Sequence, residues 1–169
     1  MPAPRRISAR APARVAPDLH FVEGRVIGVQ SHTGRHKMLL APYPLTLSGI
    51  RERFTFSARR CELFDNLQRY ITAARALSHP PLLQIISGSF VDDTEEPGDI
   101  DLANIVDSID EEAMPLLFDP DFTKATYEID AITVCLSDDA LGNALALLRI
   151  GNYFSSRRDG LHRAYIWVI

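Results

Sequence analysis

The chain has 169 residues, enough for one domain with its own core and too few for two of ordinary size. With 46% hydrophobic and 24% charged residues and a mean hydropathy near zero, it has a globular composition, which excludes collagen-like, coiled-coil and wholly disordered classes. No apolar run approaches the roughly 20 residues of a membrane-spanning helix, no signal peptide is visible, and the cytoplasm is the expected location.

The net charge of −4 is unevenly spread. Residues 1–17 carry Arg5, Arg6, Arg10 and Arg14 and no acid, so this +4 leaves −8 on the rest. Twelve of the 22 acids lie between Asp92 and Asp121, a stretch without Lys or Arg. The four prolines of the opening segment and its few large apolar residues predict a disordered basic tail over 1–18, followed by one folded unit over 19–169. A solvated tail, a partner- or nucleic-acid-binding arm and a transit peptide are its three readings.

Residues 20–29, with β-branched residues and glycines, predict a strand or hairpin, and Ser31 to Lys37 a turn. A short helical turn is expected at 48–54. From Ser57, apolar residues recur at three- and four-residue spacing through Cys61, Phe64, Leu67, Tyr70, Ile71, Ala74 and Leu77, with Arg59, Glu62, Asp65 and Arg69 facing outward. That helix should start at a Ser57 cap and stop before Pro80-Pro81. Residues 82–87 and 99–107 predict buried strands, 110–122 one short helix, and 125–136 the strongest strand of the chain. A helix over 139–154 should bury Leu141, Ala144, Leu145, Leu148 and Phe154, and an Asp159-Gly160 turn should lead into a final strand with Leu161, Ala164 or Tyr165, Trp167 and Ile169 alternating on one face and Trp167 in the core. Helices and strands in this order predict an α+β (α/β) fold with one mixed sheet packed against helices. Cys61 and Cys135, far apart in segments expected to be buried, are read as small core residues and not as a disulfide or zinc site.

The chemistry-bearing segment runs from Ile85 to Asp107. Gly88 permits close backbone approach, and Ser89 adds a hydroxyl and an N–H, so the pair can cradle phosphate oxygens. Asp99 and Asp101, two apart on a strand, share a face with Cα atoms about 6.6 Å apart. Such neighbouring carboxylates repel unless a hard cation lies between them, and their oxygens favour Mg²⁺ or Mn²⁺. A phosphate cradle beside paired acids suits phosphoryl transfer.

Ser87-Gly88-Ser89, a nine-residue gap and Asp99-Ile100-Asp101-Leu102 resemble the signature of the polymerase β-like nucleotidyltransferase superfamily. The likeness narrows to a group of small bacterial and phage nucleotidyltransferase-like proteins through Phe54 with Arg59 and Arg60, Gly-Ser-Phe-Val at 88–91, Pro-Gly-Asp-Ile-Asp at 97–101 and Arg-Asp-Gly at 158–160. The resemblance implies that 19–169 is a nucleotidyltransferase-like domain and that a third acid lies on the neighbouring strand. Asp130 fills that place, with Glu128 expected on the same face. It implies Mg²⁺ or Mn²⁺ held by Asp99, Asp101 and Asp130, an NTP gripped by Gly88 and Ser89, and nucleoside monophosphate transfer to a hydroxyl of a small molecule, a protein or an RNA end. Lys124 and Arg158 are further candidates for nucleotide contact.

In that group Thr and then Lys follow the Gly-Ser-Phe-Val run, whereas here Asp92-Asp93-Thr94-Glu95-Glu96 follows it. A catalytically silent nucleotidyltransferase fold serving as an antitoxin-like or phage-encoded binding module is therefore the alternative, and an acidic nucleic-acid mimic is a third reading. Since little chain remains for acceptor recognition, a protein partner or a homodimer is expected to supply it.

Overall fold

The computed structural model describes residues 19–22, 25–28, 43–156 and 165–169. The expected tail over 1–18, the turn over 31–37 and the Asp159-Gly160 turn lie outside these residues. Strands β1 (Leu19–Val22) and β2 (Arg25–Gly28) form the antiparallel hairpin anticipated over 20–29. The main sheet has five strands in the order β3-β7-β4-β5-β6: β3 (Tyr43–Leu45), β4 (Leu83–Ser87), β5 (Ile100–Val106), β6 (Ile129–Cys135) and β7 (Ile166–Val168). β3 runs parallel to β7 and β5 to β6, while β4 is antiparallel to both β7 and β5. The architecture is the mixed α+β sheet that the element order predicted.

Helices α1 (Leu47–Phe54) and α2 (Ala58–Arg75) cover one face of the sheet. Thr46 and Ser57 cap them by accepting from Gly49 N and Arg60 N, satisfying otherwise orphaned amides. Phe54, Leu63, Phe64, Leu67 and Ile71 pack onto Ile86, Ile100, Leu102, Ile129, Ile166 and Val168. A chain of polar side chains crosses this core: Gln84 donates to Asn104 (3.0 Å), Asn104 to the Tyr70 hydroxyl (2.6 Å), and that hydroxyl to Leu116 O (3.1 Å). Burial pushes the Tyr70 pKa up to about 12, so the hydroxyl keeps its proton as a donor.

Helix α4 (Ala140–Ser155), capped by Asp139, lies on the opposite face, where Phe154 and Ile150 meet Ile85, Ala103, Ile105 and Ile132. Its packing differs from the expected stripe, because Leu141, Leu145 and Leu148 are exposed. The helix is apolar nearly all round, so periodicity alone does not select its buried side. That choice falls to Phe154 at one end and, at the other, to Asn143, which bonds Ser137 through both main-chain groups.

Three further expectations are corrected. Helix α3 (Pro120–Tyr127) occupies the start of the segment expected to be strand, and β6 begins only at Ile129. Asp119 caps α3, Pro120 opens it, and Glu128 ends it in the left-handed conformation at φ 56°, signals that outweigh the β-rich composition. Cys61 and Cys135 are both exposed. In β7 the buried residues are Ile166 and Val168, whereas Trp167 is 37% exposed.

Arg60, by contrast, is fully buried within α2. Its five N–H groups all donate to main-chain carbonyls: Thr94 (2.8 Å), Phe54 (3.1 Å), Phe90 (2.7 Å), Ser89 (3.1 Å) and Asp92 (2.6 Å). The guanidinium also lies 4.1 Å from the Phe56 ring centroid. Desolvation lowers its pKa from the ordinary arginine value, opposed by Asp92 and Asp93. A lysine has three donors on a point charge and cannot reproduce this fork. Arg60→Lys is expected to lower the unfolding free energy by about 3 kcal/mol, read as a shift in urea midpoint at unchanged slope.

Candidate functional site

The candidate residues meet where β4 ends and β5 and β6 begin. Ser87 of β4 pairs with Asp101 of β5, which in turn pairs with Asp130 of β6. Paired residues on adjacent strands share a face, so these three form a row across the sheet. The row looks toward the α4 side, because Ser87 donates to Phe154 O at 2.8 Å. Asp101 is half-buried and Asp130 exposed.

Gly88 directly follows Ser87 at φ 79°, ψ −166°, a backbone region that essentially only glycine occupies. A Cβ added there would stand 1.8 Å from Asp101 Oδ2. The Gly88 backbone and the Asp101 carboxylate are therefore in direct apposition, which accounts for a glycine at this place. Ser89 opens the short 3₁₀ turn Ser89–Val91, whose carbonyls Arg60 holds from beneath.

Arg59 holds the other end of the same loop. Its guanidinium donates to Pro97 O (3.2 Å) and Gly98 O (2.7 Å) and forms a two-pronged bond to Glu128 (2.7 and 3.1 Å). Ser57 Oγ donates to Glu95 O at 2.8 Å. The first turn of α2 thus clamps residues 89–98 at several points and delivers Asp99 and Asp101 to the start of β5. Expected to face outward, Arg59 instead turns onto the loop. Arg60 has a signal in the sequence, since it precedes Phe64 by four residues and Leu67 by seven and so falls on the helix's apolar stripe.

Glu128, expected beside Asp130, is placed elsewhere. Its left-handed backbone breaks strand alternation, and its carboxylate accepts from Arg59 and from Asn66 Nδ2 (3.0 Å), both on α2. The Arg59 hydrogen bonds hold its pKa below the ordinary glutamate value. Asp99 forms an ion pair with Lys124 of α3. Lys124 was expected at a phosphate, and here its ammonium sits on one of the candidate acids.

The structure therefore brings Ser87, Gly88, Asp101 and Asp130 into one row and turns Asp99 toward α3. Among the described residues no three His, Cys, Asp or Glu side chains converge on a common metal position. The oxygen donors of Asp101 and Asp130, neighbours in register on one face, suit a hard divalent cation, and Asp99 would join them by leaving Lys124. Arg158 lies outside the described residues.

Residues 25–169 match DUF6932, a family of unknown function. The chain belongs to the DUF6932 family. That match takes in the β2 strand, the whole main sheet and every candidate residue described above, and leaves out only the opening 24 residues. No curated protein and no solved structure matches this DUF6932 chain. No helix among its described residues is long and apolar enough to cross a membrane.

Two substitutions test this geometry. Gly88→Ala should cost about 3 kcal/mol or more in unfolding free energy, from a backbone strained for alanine and a clash with Asp101; calorimetry of the purified variant reads it. Glu128 has a folded pKa below its unfolded value, so its contribution is present above the ordinary glutamate pKa of about 4.3 and disappears as pH falls through the depressed value. Glu128→Gln should accordingly flatten the loss of stability below pH 4.5, as followed by urea midpoints between pH 6 and pH 3.

Proposed function

We propose that this protein is a metal-dependent nucleotidyltransferase that moves a nucleoside monophosphate from an NTP to a hydroxyl acceptor in a small molecule, a protein or an RNA end. The observation that carries the proposal is the apposition of Gly88 to Asp101, with Asp130 in register on the next strand. A Gly-Ser turn and an Asp-x-Asp strand separated by nine residues in sequence are neighbours in space, as nucleotidyl transfer requires. The earlier resemblance to polymerase β-like nucleotidyltransferases points the same way.

In this reading the Gly88 and Ser89 amides and the Ser89 hydroxyl hold the β- and γ-phosphate oxygens. An acceptor hydroxyl attacks the α-phosphorus, a new P–O bond forms, the α–β P–O bond breaks, and pyrophosphate leaves. Asp130, the most exposed of the three acids, takes the hydroxyl proton. Asp99, Asp101 and Asp130 would hold Mg²⁺ or Mn²⁺, which supplies neutralisation of charge on the phosphates. Lys124 and Arg158 are the cationic candidates for nucleotide contact. The cytoplasm supplies the NTP, and a protein partner or a second copy supplies acceptor recognition.

A catalytically silent module of the same fold is the second reading, favoured by the Lys124 ammonium on Asp99 and by the exposed acids Asp93, Glu95 and Glu96 at the loop. Thermal unfolding distinguishes the two. For the enzyme, Mn²⁺ with an NTP at about 100-fold over its Kd should raise the midpoint by about 5 °C or more in the wild type and by nothing in Asp101→Asn. An unmoved wild-type midpoint with every NTP and both cations rejects the enzyme.

A further inference from the structure

We infer that Lys124 is a built-in counter-ion that holds Asp99 in competition with the divalent cation, so that cation binding and the Lys124–Asp99 pair exclude each other; this rests on the cation site of the proposed function. Both partners of the pair are anchored through one junction. Glu128 N donates to Lys124 O at 3.0 Å, fixing the last turn of α3. The Glu128 carboxylate is locked to Arg59, which also grips Pro97 O and Gly98 O just ahead of Asp99. Glu128 O accepts from Ile100 N at 3.2 Å just after it. The backbones that carry Lys124 and Asp99 are therefore held in one frame.

The side chains themselves remain accessible, Lys124 at 48% and Asp99 at 29%. An ion pair in such a setting is weak and easily exchanged. Lysine brings one strongly hydrated charge without a preorganised fork, whereas a divalent ion brings twice the charge and direct oxygen ligation. Lys124 is the sole lysine after Lys37, residues 92–121 contain no basic side chain, and its ammonium is the cation paired with Asp99, while Arg60 faces Asp92 and Asp93. While it sits on Asp99, the ammonium offsets the charge of that carboxylate. Displaced by a cation, the ammonium becomes available to an incoming phosphate.

Mn²⁺ binding to the full chain, read by the disappearance of the free-ion EPR signal and by titration calorimetry, tests the competition without relying on turnover. Lys124→Gln should bind Mn²⁺ about three- to ten-fold more tightly than the wild type. Lys124→Arg, which keeps the charge, should stay within about two-fold of it, and circular dichroism confirms that both variants are folded. Equal or weaker binding by Lys124→Gln, with binding abolished in Asp101→Asn, overturns the competition and leaves the cation site standing. Binding by Asp101→Asn equal to wild type, or no binding by either wild type or Lys124→Gln, overturns the cation site and the competition with it.

Discussion

A guanidinium with no solvent contact organises this protein. Arg60 sits beneath a loop whose own side chains are mostly small or acidic, and it satisfies five carbonyls that would otherwise point into a water-poor interior. Because a buried positive charge costs several kcal/mol to desolvate, it persists only where every donor finds an acceptor. The acidic run after Val91 fits this demand: Asp92 and Asp93 lie close enough to favour the charged guanidinium, and Asp92 is itself buried. The acids at the start of this run thus have a structural role in addition to any electrostatic one at the surface.

The adjacent Arg59 extends the same logic to the far end of the loop. One arginine holds residues 89–94 from below, the other holds 97–98 and Glu128, and the strand carrying Asp101 begins directly after them. Glu128, left-handed at the end of α3, ties helix, loop and strand β6 together, so the positions of Asp99, Asp101, Asp130 and Lys124 share one mechanical origin. A helix N-terminus thereby serves as the platform for acids on two neighbouring strands.

The candidate residues lie on one face and at one end of the sheet. Ser87, Asp101 and Asp130 cross it in a row, and the C-terminal end of α4 closes against Ser87. The other face is given over to α1, α2 and the polar chain from Gln84 to Leu116, whose function is to fix strand and helix positions. Both faces are packed, one by α1 and α2 and the other by α4, and the acids lie on the α4 side at the end where β5 and β6 begin.

Helical periodicity from Ser57, strand-like runs at 82–87 and 99–107, and the Gly-Ser spacing to Asp99 and Asp101 were all legible because they depend on neighbours a few residues away. Strand β6 was legible, but the β-rich composition of 125–128 placed its start too early, where the cap at Asp119 and Pro120 carry a helix on to Tyr127. Which face of α4 is buried was illegible, because a helix apolar all round carries no preference until a sheet is laid against it. The insertion of β7 between β3 and β4 depends on contacts between distant segments, as does the turning of Arg59 and Arg60 onto a loop some 30 residues away. Local patterns therefore determined the elements and the candidate acids. Only the tertiary structure decided the register that sets Asp101 between Ser87 and Asp130, the pairing of Asp99 with Lys124 and the tie of Glu128 to Arg59, because register and contacts between separate elements depend on how those elements pack and not on local pattern.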